Sequence, residues 1–212
     1  MQPSIVWNDG STQRNLRGSD AVSGYLARLF AIEARDSGEV VGAGWLSGAR
    51  KNNREALRRR TEDILRGRKV ENIAEPSPNL AMQILELAQD EGRQALIELW
   101  ARLLANAVDP SRSNLRLAFI ETVKQMDPPD AMLIERMVHR GYRAIHDEDG
   151  PASFNETSTA LLANELNLGQ DTVFVSLEHL EELGLLANST ADAVWRTTSF
   201  GREFFRACYR YR

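Results

Sequence analysis

At 212 residues the chain has room for one large domain or two small ones around a true core, and 42% hydrophobic with 7% aromatic residues is ordinary for a globular protein. The single cysteine, Cys208, excludes an intramolecular disulfide and fits a reducing cytoplasm, while the sequence has no apolar run of the roughly 18 residues that a membrane-spanning helix needs. The net charge of −4 hides residues 50–69, where nine basic residues face three acidic ones, a local +6 that leaves −10 for the rest.

Residues 1–18 lack the basic-then-apolar layout of a signal peptide and read as a polar lead-in. A first helix is expected over residues 19–35, capped by Ser19 or Asp20, with Val22, Leu26, Leu29 and Phe30 on its inner face and Glu33 at the polar edge. Gly38, Gly42, Gly44 and Gly48 then lie among Val40, Val41, Trp45 and Leu46. Their spacing matches neither the Walker pattern nor the dinucleotide fingerprint. The stretch reads as a loosely wound start to a basic helix over residues 51–66, which Gly67 closes.

Arg50, Lys51, Arg54, Arg58, Arg59, Arg60, Arg66, Arg68 and Lys69 make this segment the candidate surface for an anionic partner, whether nucleic acid, anionic lipid or an acidic protein. The competing reading is a solvated helix whose arginines pair with acids of the same chain. The lack of interleaved aromatics to stack on bases favours that second reading.

Ser77 is placed to cap a helix that starts at Pro78 and buries Leu80, Ala81, Ile84, Leu85 and Ala88. The clearest buried helix follows over residues 93–109. Ala95, Leu96, Leu99, Trp100, Leu103, Leu104 and Ala107 form one apolar stripe, Arg93, Gln94, Glu98, Arg102 and Asn106 fall between them, and Pro110 ends the helix. Residues 114–126 present Leu117, Phe119, Ile120 and Val123. Together these segments predict a helical bundle over residues 19–127, punctuated by Asp127-Pro128-Pro129-Asp130.

Residues 128–212 follow a different grammar. A helix over residues 130–145 carries Met132, Leu133, Met137, Val138 and Tyr142, and HDEDGPASFNE is a polar loop. TSTALLANEL, the turn NLGQ and DTVFVSLEHLEELG read as helix, turn, helix; Leu185-Leu186 opens a strand, residues 194–197 return it, and Thr198 or Ser199 caps a last helix. The fold expected is therefore mainly α, an N-terminal helical bundle followed by a C-terminal winged-helix-like module. The second helix of the pair carries Asp171, Glu178, Glu181, Glu182 and His179 but no Lys or Arg, and would repel phosphate. Its basic neighbours stand apart at Arg196, Arg202, Arg206, Arg210 and Arg212. Packing on the bundle or on a protein partner is the expectation.

Catalytic signals do not converge. His146-Asp147-Glu148-Asp149 offers metal ligands from one loop only, whereas a metal site draws on several elements. Cys208 has Arg206 and Arg210 nearby but no histidine within sequence reach, which favours a buried, idle thiol. His139 and His179 stand alone, and Ser47 lacks the glycine pattern of a nucleophile elbow. The reading is non-enzymatic, with no cofactor and no metal.

The block GEVVGAGWLSGARKNNREALRRRTEDILRGRKVENIAEPSPNLAMQILELAQDEGRQALIELWARLLANAVDP, with FIETVKQMDPPDAMLIERM, LEELGLL and TSFGREFF after it, resembles the abortive infection alpha (Abi-alpha) family of bacterial phage-defence proteins. The likeness runs from about Gly38 onward and is strongest at Trp100, Leu103, Leu104, Ala105 and Asn106. It implies a role in arresting phage propagation or the infected cell, and it brings no catalytic residue with it. Three functions stay in view: a cytoplasmic antiphage protein that binds a protein partner, a winged-helix nucleic-acid-binding transcriptional regulator, and a membrane-acting toxin using Val40 to Leu46 and the basic helix as an interfacial anchor. A homo-oligomer is permitted by the sequence but not required.

Overall fold

Ten of the fifteen residues of helix α4 (Gln94–Val108) are buried, Asn106 among them. The helix is thus enclosed on nearly every side, a wider burial than the single stripe predicts, because Ile97, Ala101, Ala105 and Asn106 are also inside. The computed structural model describes residues 18–36, 44–112, 115–146, 156–189 and 194–209. Helix α1 (Gly18–Asp36) packs on α2 (Gly44–Gly67) and α3 (Pro78–Gln89), and α2, α3, α5 (Leu117–Gln125) and α6 (Pro128–His146) flank α4. Next in the chain come β1 (Glu156–Ser158), α7 (Thr159–Leu166), α8 (Gln170–Glu182), β2 (Leu186–Ser189), β3 (Val194–Thr197) and α9 (Ser199–Cys208). The described fold is mainly helical, with one small antiparallel sheet in the order β1-β3-β2.

The core is continuous from Val22 of α1 to Tyr209 after α9, and it crosses the Asp127-Pro128 punctuation without a break. Helix α4 packs against α2, α3, α5, α6 and α9. Each of its buried leucines contributes roughly 1.5–3 kcal/mol by leaving water. Around Phe119 of α5, Phe200 and Phe204 of α9 stack at 5.5 and 5.6 Å between ring centroids, which fixes the last helix against the bundle.

Several boundaries differ from the sequence reading, each for a local reason. Gly67 ends α2, but the left-handed reversal is at Lys69 (φ 56°), and the amide of Val70 bonds back to the Leu65 carbonyl at 3.1 Å. Ser77 precedes α3, yet its side chain makes no capping bond and Pro78 starts the helix. Leu117 and Met132 face outward, while Thr122, Ala131 and Ile134 take inward positions. Helix α6 begins at Pro128, and Asp130 accepts the Asp127 amide at 2.8 Å in a capping-box arrangement. Strand β1 takes Glu156 from the end of the expected polar loop and Thr157-Ser158 from the expected helix, which starts at Thr159 instead; Thr157 pairs with Trp195 across the sheet.

The closing phrases LEELGLL and TSFGREFF meet at one corner. Gly184 turns at φ 74°, the Thr198 hydroxyl caps α9 by accepting the Gly201 amide at 2.9 Å, and it donates to the Gly184 carbonyl at 2.6 Å. Gly201 then lies so close to Leu185 that an added Cβ would fall 2.1 Å from the Leu185 carbonyl oxygen.

Residues 1–17, Gly38, Val40, Val41, Gly42, Asn114, Asp147 to Asp149, Arg210 and Arg212 lie outside the described residues, as do the side chains of Glu33, Tyr142 and His146. No helix among the described residues is long and apolar enough to cross a membrane.

Candidate functional site

The predicted anion-binding segment occupies α2 and the turn after it, and most of its cations are neutralised within the chain. Arg50 grips Asp90 with two bonds of 2.6 and 3.0 Å, and Arg54 donates to the Gln89 side chain at 3.3 Å. Arg58 bridges Glu55 and Glu62, Arg59 also holds Glu55, and Arg66 reaches Glu62 and Asp63. Hydrogen bonds from Arg58 and Arg59 bring the Glu55 carboxyl down to about 2. Lys51 and Lys69 are exposed and carry no ion pair among the described residues. Trp45, in the first turn of α2, is 78% exposed.

Arg60 turns inward to the bundle. It forks onto Glu98 of α4, whose carboxylate also accepts from Arg102 at 2.7 Å. Burial pushes the Glu98 carboxyl up, but the two guanidiniums outweigh it and hold the group below its ordinary range. Arg102 stands 4.3 Å over the Tyr209 ring. Arg68 donates to Asn106 at 2.7 Å and lies 3.6 Å from Asp109, closing a cleft of about 240 Å³ that Lys69 and Arg112 also line. These polar groups hold α2, α4 and α9 together. The spacing rule that separated Glu98, Arg102 and Asn106 from the apolar stripe gave no sign that they meet partners from other helices.

The other predicted chemistry stays dispersed. Cys208 is fully buried and burial pushes its thiol up, against the smaller pull of Arg102 and Arg68. His139 lies on an exposed turn 3.8 Å from Glu135, and Ser47 is exposed on α2. Among the described residues no group of histidine, cysteine and acidic side chains is arranged to hold a metal.

A second site forms where α8 crosses the start of α6. Nδ1 of His179 is 2.8 Å from Oδ2 of Asp130, a carboxylate that is 1% exposed and already accepts the Asp127 amide. The acceptor carboxylate places the proton on Nδ1. This pair was missed because Asp127 to Asp130 reads as punctuation; an acid at the cap, two prolines and an acid at the third helical position are the signal that marks a helix start instead. Beside the pair, α8 presents Asp171, Thr172, Val175 and Glu178 outward, with Val175 62% exposed. Phe174 is half-exposed and rests edge-on against buried Trp195 at 6.2 Å. No lysine or arginine occurs anywhere on α8.

A family model described as abortive infection alpha matches residues 49–208, from the second turn of α2 to the end of α9, and so spans both sites. Neither a curated protein nor a solved structure matches the chain.

Proposed function

The chain belongs to the abortive infection alpha family, and on that premise we propose that it serves bacterial defence against phage by binding a protein partner, without chemistry of its own. The order helix, strand, helix, helix, hairpin and the β1-β3-β2 sheet support reading residues 128–209 as a winged helix. In that reading α8 takes the place of the helix that would enter a DNA groove.

The observation that carries the proposal is the chemistry of that helix. A DNA reader needs Arg, Lys, Asn or Gln toward the duplex, whereas α8, apart from Gln170 at its first position, presents Asp171, Val175, Glu178, Glu181 and Glu182. An acidic face with an uncovered apolar side chain suits a protein surface and disfavours phosphate. The internal pairing of the α2 arginines weighs against nucleic acid and lipid as partners of that helix. A cytoplasmic setting accords with a lone, buried thiol.

The test is a phage plaque assay on bacteria carrying the wild type or Val175→Asp, with circular dichroism melting of both purified chains. The expected result is loss of protection with an unchanged melting curve. Full protection by a folded Val175→Asp chain would refute recognition through α8.

A further inference from the structure

The charges of α2 and α8 are handled in opposite ways. On α2 the arginines other than Arg54 find acids of the same chain, three or four positions away, just past α3 or on α4. On α8 the acids Asp171, Glu178 and Glu182 have no hydrogen-bond or ion-pair partner among the described residues. Glu178 and Glu182 stand four apart on one face, a like-charge spacing that destabilises a helix by about 0.2–0.5 kcal/mol. An arriving cation relieves that repulsion.

These acids border an open groove of about 710 Å³ between α8 and the first turn of α6. Pro129, Val175 and Ser176 supply its less polar lining, and no lysine or arginine lines it. Its other acids are already engaged: Asp127 with Arg93 at 2.8 Å and Asp130 with His179. The groove therefore offers uncompensated negative charge beside an uncovered apolar side chain on one helix.

We infer that this groove docks a basic segment of a protein, a stretch bearing lysine or arginine for Asp171, Glu178 and Glu182 and an apolar side chain to cover Val175. The inference rests on the partner-binding reading of α8 and adds the chemistry of the partner. A nucleic acid is repelled by the same carboxylates, and a bare metal ion finds no group of ligands among the described residues. A small polyamine would satisfy the acids but leave Val175 in water.

The experiment uses the full chain and three fluorescein-labelled short peptides, one alternating lysine with leucine, one with glutamate for lysine and one with glutamine for lysine, followed by fluorescence anisotropy at low and high salt. The lysine peptide should bind, weaken with salt, and lose at least about tenfold in affinity to the double variant Glu178→Lys/Glu182→Lys. An equal reversal at exposed Glu71 and Glu86 should leave its affinity unchanged. Equal binding of the glutamine peptide, loss of the same size in the Glu71 and Glu86 control, or preference for a DNA duplex overturns the inference. If Val175→Asp abolishes protection while no peptide shows a charge preference, the α8 reading stands and the basic partner falls.

Discussion

Asn106 of α4 donates its side-chain amide to the carbonyl of Ala207 in the last turn of α9, 101 positions further along the chain. Its own carbonyl oxygen accepts from Arg68 at 2.7 Å, so one side chain joins α2, α4 and α9. The neighbouring carbonyls are satisfied in the same way, Arg206 by Arg112 at 3.1 Å and Cys208 by Arg102 at 3.4 Å. The carbonyls at the end of α9, which a helix cannot pair within itself, are thereby capped by α4 and the turn after it.

Replacing Asn106 by alanine leaves the buried Ala207 carbonyl without its side-chain donor and takes one hydrogen bond from Arg68, which keeps Asp109 beside it. The expected cost is about 1–3 kcal/mol for the buried group left unsatisfied, read as a lower urea midpoint with an unchanged slope. An unaltered midpoint would show that the tie contributes nothing.

What the sequence made legible followed from periodicity and punctuation. Trp100, Leu103 and Leu104 recur at helical spacing, and they are buried where that spacing puts them. The helix-turn-helix pair and the returning strand over residues 194–197 carry their own stop signals, Asn167 in the left-handed region among them. Strand β1 was illegible because Glu156, Thr157 and Ser158 hold no apolar alternation; β3 makes them a strand by pairing with them. Asn106 and Glu98 were illegible for a related reason. A polar residue on an apolar helix is indistinguishable from a solvated one until its distant partner is known. The same holds for His179, whose partner Asp130 lies 49 positions away.

Gly201→Ala should destabilise the protein by on the order of 1–3 kcal/mol, since the new methyl group meets the Leu185 carbonyl, a backbone atom fixed by its bond from Thr198. Gly92→Ala is the matched control. Nothing lies within 4 Å of its added Cβ, and the loss of freedom in the unfolded chain should raise stability by about 0.4–1 kcal/mol. Thermal melting of the pair checks both signs; a neutral Gly201→Ala would place α9 farther from the Leu185 turn.

Glu98 makes stability depend on acid. Its native carboxyl is held below the ordinary value of 4.5, so the unfolded chain binds the proton first. The stabilisation is fully present above that ordinary value and is lost as pH falls through the lowered native one. Glu98→Gln should be less stable than wild type at neutral pH by about 2 kcal/mol, because half-exposed Arg60 and largely buried Arg102 lose the carboxylate they share, leaving Arg102 with only Glu135 at 3.9 Å. Melting curves over a pH series should show the difference shrinking below the ordinary carboxylate range. A difference constant across the series would assign the loss to packing.

Reversing Arg58, Arg59 and Arg60 to glutamate would be a poor probe of the basic helix, since the new acids would face Glu55, Glu62 and Glu98 and unsettle α2 itself. Lys51 and Lys69 are the cleaner choice. Both are exposed, and neither is tied to an acid among the described residues. Lys51→Glu/Lys69→Glu should change stability by no more than about 0.5 kcal/mol and, with recognition on α8, leave plaque protection at the wild-type level. Loss of protection at unchanged melting temperature would move the contact surface to α2 and bring an anionic partner forward.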